Sequence, residues 1–118
     1  MSISRQNLTV IIVSFMSERV IHDCINSVPK DIKIIVVDNS NNKYFKDEIE
    51  KKYNNVRCIL SENNLGMGAG NNYGLNEIDT DYGFIIRVIN YKNLNVLRYR
   101  VNTVMYHFFT HKAYYNYC

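Results

Sequence analysis

Glycine and asparagine cluster in residues 61–75, SENNLGMGAGNNYGL, which hold four of the chain's five glycines and four asparagines. Glycine lets a backbone approach a bound group closely, and the free N–H groups at a helix N-terminus favour anions. If this stretch opens a helix, it could therefore hold a phosphate or diphosphate. Close packing of that helix against a sheet would require the same glycines, and the two interpretations are compatible.

Two familiar nucleotide motifs do not fit this glycine stretch. It lacks the Gly-Lys-Ser/Thr ending of a P-loop, so no lysine reaches a phosphate from it. Its spacing is G-x-G-x-G after the third predicted strand, and the acidic residue at a strand end, Asp38, precedes it. A dinucleotide fingerprint follows the first strand and has its acid about twenty residues later. The pattern argues against NAD or FAD and against P-loop nucleotide hydrolysis.

A carboxylate, Asp38, follows directly after four apolar residues. At a strand end it could accept hydrogen bonds from a base N–H or a sugar hydroxyl. Aspartate and serine also cap turns and helices routinely. From the residues alone, capping is the favoured interpretation for Asp38 and Ser40.

Alternating strands and helices must position these residues. LTVIIVSF and IKIIVV are continuous apolar runs, as expected of strands buried on both faces of a parallel sheet. SERVIHDCINSV has an apolar helical face, with Ser17 as the predicted N-cap. The alternation predicts an α/β fold, a mostly parallel sheet of about four strands with flanking helices. The strands are predicted at 8–15, 32–37, 56–60 and 82–88, and the helices at 17–28, 43–53 and 67–78.

Ligands of open α/β sheets bind beyond the carboxyl ends of the strands. The residues that follow the first three strands are 14–16, 38–40 and 62–66, and they are predicted to share that edge. The triplet Asp79-Thr80-Asp81 has the Asp-x-Asp pattern of a metal-binding motif, but it precedes the fourth strand. A strand length, roughly 23 Å, would separate it from the carboxyl edge. It is therefore predicted to be a turn.

Length and composition limit the protein class. A chain of 118 residues forms one domain at most. It has no run of eighteen apolar residues and no export leader. Three cysteines at long spacings suit reduced thiols in a cytosol. A cytoplasmic location is therefore expected.

The composition changes at about Arg87. Residues 1–86 hold nine Lys/Arg and eleven Asp/Glu, whereas residues 87–118 hold five Lys/Arg and no acid. This tail also has six of the ten tyrosines and no glycine. We therefore treat 1–86 and 87–118 as separate units.

The tail allows several interpretations. Apolar residues at helical intervals predict an amphipathic helix that could cover a face of the sheet; they are Leu94, Leu97, Val101, Val104, Met105 and Phe108. Its basic and aromatic residues could instead contact an anionic membrane surface peripherally, whereas no nucleic-acid motif accompanies them. His107 and His111 have helical spacing but lack a third nearby metal ligand. A reading-frame change near codon 87 is the alternative origin of the tail.

Three motifs follow one another in the chain: LTVIIVSF with its following helix, IIVVDNSNN and NNLGMGAGNNYGL. Together, in that order, they resemble the N-terminal half-domain of family 2 glycosyltransferases. The resemblance is greatest to the branch that contains rhamnosyltransferases and other cell-surface polysaccharide enzymes, and it covers about residues 7 to 86. It implies a Rossmann-like GT-A half-domain, a nucleotide-diphosphate sugar donor linked to UDP or dTDP, and transfer with inversion at the anomeric carbon. It also implies that the donor contacts Val13, Ser14, Phe15, Asp38, Asn64, Gly66, Asn71 and Asn72.

One departure from the family is chemical. The family implies Mg²⁺ or Mn²⁺ held by an acidic motif directly after the fourth strand, but here YGFIIRVINYKNL has no Asp or Glu after that strand. That metal neutralises the departing nucleoside diphosphate. We therefore expect a truncated glycosyltransferase with no assigned catalytic residue. A non-catalytic nucleotide or nucleotide-sugar binding module and a basic peripheral adaptor are the alternatives.

Overall fold

The computed structural model describes residues 4–87 and 106–110, which form a five-stranded sheet with helices on both faces. The strands are β1 (Leu8–Ser14), β2 (Lys33–Asp38), β3 (Val56–Leu60), β4 (Tyr82–Arg87) and β5 (Tyr106–Thr110). The helices are α1 (Glu18–Asn26), α2 (Lys43–Lys52) and α3 (Gly66–Asn76). Among the described residues, no helix has the length and apolar character needed to span a bilayer.

The sheet order is β3-β2-β1-β4-β5, and β1 to β4 are parallel, which confirms the predicted α/β architecture. β1 and β2 are apolar along their length because both faces are covered. The register pairs Ser14 with Asp38 and Asp38 with Leu60, so the carboxyl ends of three strands lie side by side. The residues that follow these strands therefore share one edge.

The helices lie on opposite faces because the chain reverses direction across the sheet. It runs outward from β1 to β2 and β3, with α1 and α2 packed on one apolar cluster that includes Ile21 and Ile49. It then returns past β1 to β4 through α3, whose Leu75 belongs to the second cluster. A right-handed crossover that reverses direction must change face. The switch in strand order falls between β1 and β4, where open sheets bind ligands.

The acidic triplet Asp79-Thr80-Asp81 lies at the amino end of β4, as predicted. The Asp79 carboxylate accepts from Lys33 Nζ at 2.9 Å, and Asp81 Oδ2 accepts from Asn7 Nδ2 at 3.0 Å. The Thr80 hydroxyl contacts that of Thr9 at 2.7 Å. These contacts hold the amino edge together and leave the triplet remote from the carboxyl edge.

One local prediction is wrong, and another is confirmed in position but not in its hydrogen bond. The tail helix was expected to reach Phe108, but residues 106–110, His107 included, form a strand antiparallel to β4. An unpaired β4 edge offers free N–H and C=O groups, and the Tyr, Phe and Thr of YHFFT favour strands. The rest of that predicted helix and His111 lie outside the described residues. Ser17 stands at the N-cap of α1, but its hydroxyl donates to the Phe15 carbonyl at 2.8 Å instead of capping the helix.

Candidate functional site at the carboxyl edge

Backbone hydrogen bonds join the three loops at the carboxyl edge. The Asn39 N–H donates to the Ser14 carbonyl at 2.8 Å, which ties the end of β2 to the end of β1. The Ser61 N–H donates to the Asp38 carbonyl at 3.1 Å, which ties the end of β3 to β2. The structure therefore brings together the residues that the sequence predicted to share this edge.

Asp38 is fully buried and organises the loop that follows β2. One carboxylate oxygen accepts from the Ser40 N–H at 3.2 Å and from the Ser40 hydroxyl at 2.5 Å, and the other accepts from the Asn42 N–H at 2.8 Å. The capping interpretation favoured from the residues describes this geometry. A carboxylate accepts about four hydrogen bonds, and the described residues supply three, which leaves one position. A bound molecule would reach it only if the loop opened.

The end of β1 presents one aromatic ring to solvent. Val13 and Ser14 are buried in the sheet, whereas Phe15 is 47% exposed and Met16 is 66% exposed. Met16 has a φ of 49°, a left-handed conformation that costs a non-glycine residue about 1–2 kcal/mol. Such strain occurs at ligand sites, where the surrounding structure enforces it. Of the three predicted contacts at this strand end, Phe15 is therefore the one whose side chain is available for stacking.

The glycines of residues 61–75 serve two purposes, a left-handed backbone conformation at the start of α3 and close packing of α3 on β1. Gly66 has a φ of 74°, which glycine adopts without strain, and its N–H donates to Asn64 Oδ1 at 3.1 Å. A Cβ at Gly70 would lie 2.9 Å from Val13 Cγ1, and one at Gly74 would lie 2.6 Å from Ile11 Cγ2. Gly70 and Gly74 therefore let α3 pack directly on β1. Gly66 begins α3 at the carboxyl edge, with the helix N–H groups directed there.

Asn71 has an unsatisfied buried oxygen. The residue is 1% exposed, and its Oδ1 accepts no hydrogen bond from the described part of the chain. A buried polar atom left without a partner costs about 1–3 kcal/mol. Asn71 follows Gly70, which packs against Val13 and Asn39, whereas its neighbour Asn72 is half-buried. A donor group on a bound molecule would satisfy this oxygen.

The cysteines near the sheet do not provide a nucleophile. Burial, followed by the charge of Asp38, raises the pKa of Cys58 to about 12, and burial with the charge of Asp23 raises that of Cys24 to about 11. Both thiols therefore stay protonated near neutral pH. Burial opposes ionisation of Glu50, but hydrogen bonds from Lys46 and Cys58 outweigh it and lower the pKa of that carboxyl. The contacts of Lys46 and Glu50 with Cys58 link α2 to β3.

The residues at the carboxyl edge do not fit a divalent cation. Within the residues that the structure describes, no three His, Cys, Asp or Glu side chains are grouped as metal ligands. Both oxygens of Asp38 already accept hydrogen bonds from its own loop. The sequence has no Asp or Glu beyond Asp81, so the residues that follow β4 supply no carboxylate of the kind that binds Mg²⁺ and Mn²⁺.

Sequence reasoning placed Asn39 at this edge but assigned no role to Asn39 or to Ser61. The buried Asn39 side chain donates from Nδ2 to the Gly66 carbonyl at 3.1 Å and accepts at Oδ1 from the Ser61 hydroxyl at 2.8 Å. The available signal was the position of each residue beside a strand end. Polar residues in such loops are common, so position alone does not identify the two that pair across 22 residues.

Comparisons with known proteins support one family. The model of Glycosyl transferase family 2 matches residues 9–88. The fold is similar to S. aureus TarS residues 1–349, with a TM-score of 0.59 and 24% identity over 69% of this chain and 27% of that chain. It is also similar to the mannosyltransferase PcManGT from Pyrobaculum calidifontis in complex with GDP-Man and Mn²⁺, with a TM-score of 0.57 and 13% identity over 69% of this chain and 27% of that chain.

A third similar structure is GalNAc-T7 with UDP, GalNAc and Mn²⁺, with a TM-score of 0.53 and 22% identity over 69% of this chain and 17% of that chain. No curated protein matches the sequence. The chain spans between 17% and 27% of the length of these three solved structures, and at such identities the likeness shows the fold alone. The family match includes β1 to β4 and all three loops of the carboxyl edge, and the chain belongs to glycosyl transferase family 2.

Proposed function

We propose that the carboxyl edge binds a nucleotide-diphosphate sugar and that residues 1–86 are the donor-binding part of a glycosyltransferase with a cell-surface glycan as acceptor. The carrying observation is the meeting of three strand-end loops and the start of α3 at the switch point between β1 and β4. Two of the similar structures are PcManGT in complex with GDP-Man and GalNAc-T7 with UDP, which supports this class of donor. A UDP- or dTDP-linked sugar and a rhamnosyltransferase-like specificity are the finer proposal.

Each predicted contact has a role that its surroundings permit. The exposed ring of Phe15 stacks on the base beside Val13 and Ser14, because an aromatic face at a strand end suits any nucleobase. Asp38 acts on the base or ribose through the loop that its carboxylate holds. The start of α3 at Gly66 receives the diphosphate.

Three asparagines shape the remainder of the donor pocket. Asn64 holds the Gly66 N–H, which sets the entry to α3. Asn71 Oδ1 has no hydrogen-bond donor within the described residues, and it accepts from a hydroxyl or N–H of the nucleotide sugar, which removes the cost of leaving that oxygen unsatisfied. Asn72 borders the same pocket. The sites for the sugar and the diphosphate therefore lie along the first turns of α3.

Sugar transfer requires more than this edge supplies. The departing nucleoside diphosphate needs positive charge, and the acid ligands that would hold a cation at β4 are not in the sequence. The N–H groups at the start of α3 supply part of that positive charge, but they cannot act as a general base for the acceptor. We therefore propose donor binding for this chain and assign it no catalytic residue. A non-catalytic nucleotide-sugar binding module is the second candidate, favoured by the same acid-free β4 end.

Calorimetric titration of the chain with UDP- and dTDP-sugars, with and without Mn²⁺, tests this proposal. We expect saturable binding whose Kd is the same within about twofold with Mn²⁺ or with EDTA. A tenfold gain in affinity needs about 1.4 kcal/mol, and residues 4–87 and 106–110 hold no group of metal ligands to provide it. Inorganic phosphate and the free sugar serve as control ligands. A folded sample that binds no nucleotide sugar would exclude the donor site. A tenfold gain in affinity with Mn²⁺ would contradict our conclusion that the carboxyl edge lacks ligands for a divalent cation.

A further inference from the structure

We propose that Asn39 and Ser61 are positioning residues that hold the start of α3 in its donor-binding geometry, an inference that rests on the proposed function. Neither side chain is assigned a contact with the donor. Their effect passes through the backbone of residues 61–66, because the pair fixes where that segment lies relative to the ends of β1 and β2.

Asn39 connects three elements at once. Its N–H donates to the Ser14 carbonyl at the end of β1, and its Nδ2 donates to the Gly66 carbonyl at the start of α3. Its Oδ1 accepts from Ser61, the first residue after β3, at 2.8 Å. The Ser61 Oγ also lies 2.6 Å from the Asn63 carbonyl, so its single hydrogen is shared between two acceptors. The backbone N–H of Asn39 therefore joins the ends of β1 and β2, and its side-chain amide joins them to both ends of the 61–66 loop.

The chemistry of this position requires an amide. The Gly66 carbonyl can only accept, so the Asn39 nitrogen must face it and the oxygen must face the Ser61 hydroxyl. An ionised aspartate would lose the donor and a serine would be too short to reach both partners. A Cβ at Gly70 would lie 3.3 Å from Asn39 Nδ2, so α3 also packs closely over the amide. Size and hydrogen-bonding capacity together therefore favour asparagine.

The carbonyl that Asn39 holds belongs to Gly66, and glycine is the residue with the greatest intrinsic backbone freedom. Gly66 adopts a φ of 74°, and glycine populates positive and negative φ about equally readily. Asn64 fixes the N–H of Gly66 and Asn39 fixes its carbonyl, so both peptide groups around that φ are restrained. Ordering the loop before the donor arrives removes that cost from binding. The pair thus preorganises the N–H groups that face the diphosphate.

The test compares Asn39→Ala, Ser61→Ala and the double variant by two measurements. The first is amide hydrogen exchange at residues 66–70 in the ligand-free protein, and the second is the Kd for a UDP-sugar. We expect each single variant to speed exchange and weaken binding by about 3- to 12-fold, the equivalent of one hydrogen bond. Because both changes break the same contact, the double variant should be no worse than about the more severe single variant.

Asn55→Ala is the matched control. Asn55 is half-buried, and its Nδ2 donates to the Ile32 carbonyl at 2.8 Å, in the turn that precedes β3 and away from the carboxyl edge. The Asn55→Ala substitution removes a side-chain-to-carbonyl hydrogen bond equivalent to that of Asn39. It should lower stability without changing hydrogen exchange at residues 66–70 or the Kd. If Asn39→Ala and Ser61→Ala behave like Asn55→Ala in both measurements, the positioning role is wrong.

The two measurements separate this inference from the proposed function. If the native chain binds no nucleotide sugar, the proposed function fails, and unchanged exchange at 66–70 in the variants would still overturn the positioning role. If the native chain binds and the variants bind equally well, only the positioning role fails. Ser61→Ala removes a single hydroxyl and keeps the test available should Asn39→Ala not fold.

Discussion

Gly74→Ala is expected to lower the free energy of unfolding by about 2 kcal/mol, although alanine is the better helix former by about 1 kcal/mol. The added Cβ would lie 2.6 Å from Ile11 Cγ2 and 3.2 Å from Val37 Cγ2. Both neighbours are fully buried in the centre of the sheet, so neither can move aside freely. α3 would have to lift from β1, and the loop that begins it at Gly66 would move with it.

Urea unfolding followed by circular dichroism measures this effect, with Ala69→Gly as the control on the same helix. Ala69 is exposed, so its replacement isolates helix propensity and should cost about 1 kcal/mol. Gly74→Ala should be the more destabilising change even though propensity acts in the opposite direction. A Gly74→Ala variant as stable as the native chain would mean that α3 does not pack on β1 at this distance.

Asp38→Asn is expected to lower the free energy of unfolding by about 1–3 kcal/mol and to weaken donor binding as well. The carboxylate accepts from Ser40 on one oxygen and from the Asn42 N–H on the other. An amide can keep one of these contacts, but its NH₂ then faces a donor N–H or hydroxyl. A buried donor left without an acceptor carries the full desolvation cost. The loop that carries Asn39 would shift as a result.

Asp47→Asn is the matched control, because that carboxylate is mostly exposed on α2 and lies 3.7 Å from Lys43 Nζ. Its change should stay within about 0.5 kcal/mol, as for most surface substitutions. Thermal unfolding and calorimetric titration of both variants provide the two readouts. If Asp38→Asn lost donor affinity with native stability, the carboxylate would be a direct ligand instead of a loop organiser.

Much of the fold could be predicted because the residues that form it are locally unambiguous. The unbroken apolar runs around Ile11 and Val36 require a strand covered on both faces, and the charged helix around Ile49 allows only one buried face. β3 was predicted at its observed bounds, Val56–Leu60. The shared edge followed from the parallel order, because parallel strands place all their carboxyl ends together.

The rest depends on contacts that are distant in the sequence. The Asn39–Ser61 pair exists because β2 and β3 end side by side, and no local pattern distinguishes it from an ordinary polar loop. Residues 106–110 form a strand because β4 offers them a free edge, whereas their own spacing favoured a helix. Ser17 is a residue type that commonly caps helices, yet its hydroxyl donates to the Phe15 carbonyl instead.

Chemical-shift mapping by NMR during titration with a UDP-sugar tests the central claim, that the carboxyl edge is the donor site, most directly. The account predicts that the amides of residues 14–16, 38–42 and 61–70 shift on binding, while those of residues 79–82 at the amino edge do not. Shifts confined to the amino edge would place the ligand elsewhere and contradict the account. The absence of any shift at saturating UDP-sugar would contradict donor binding itself.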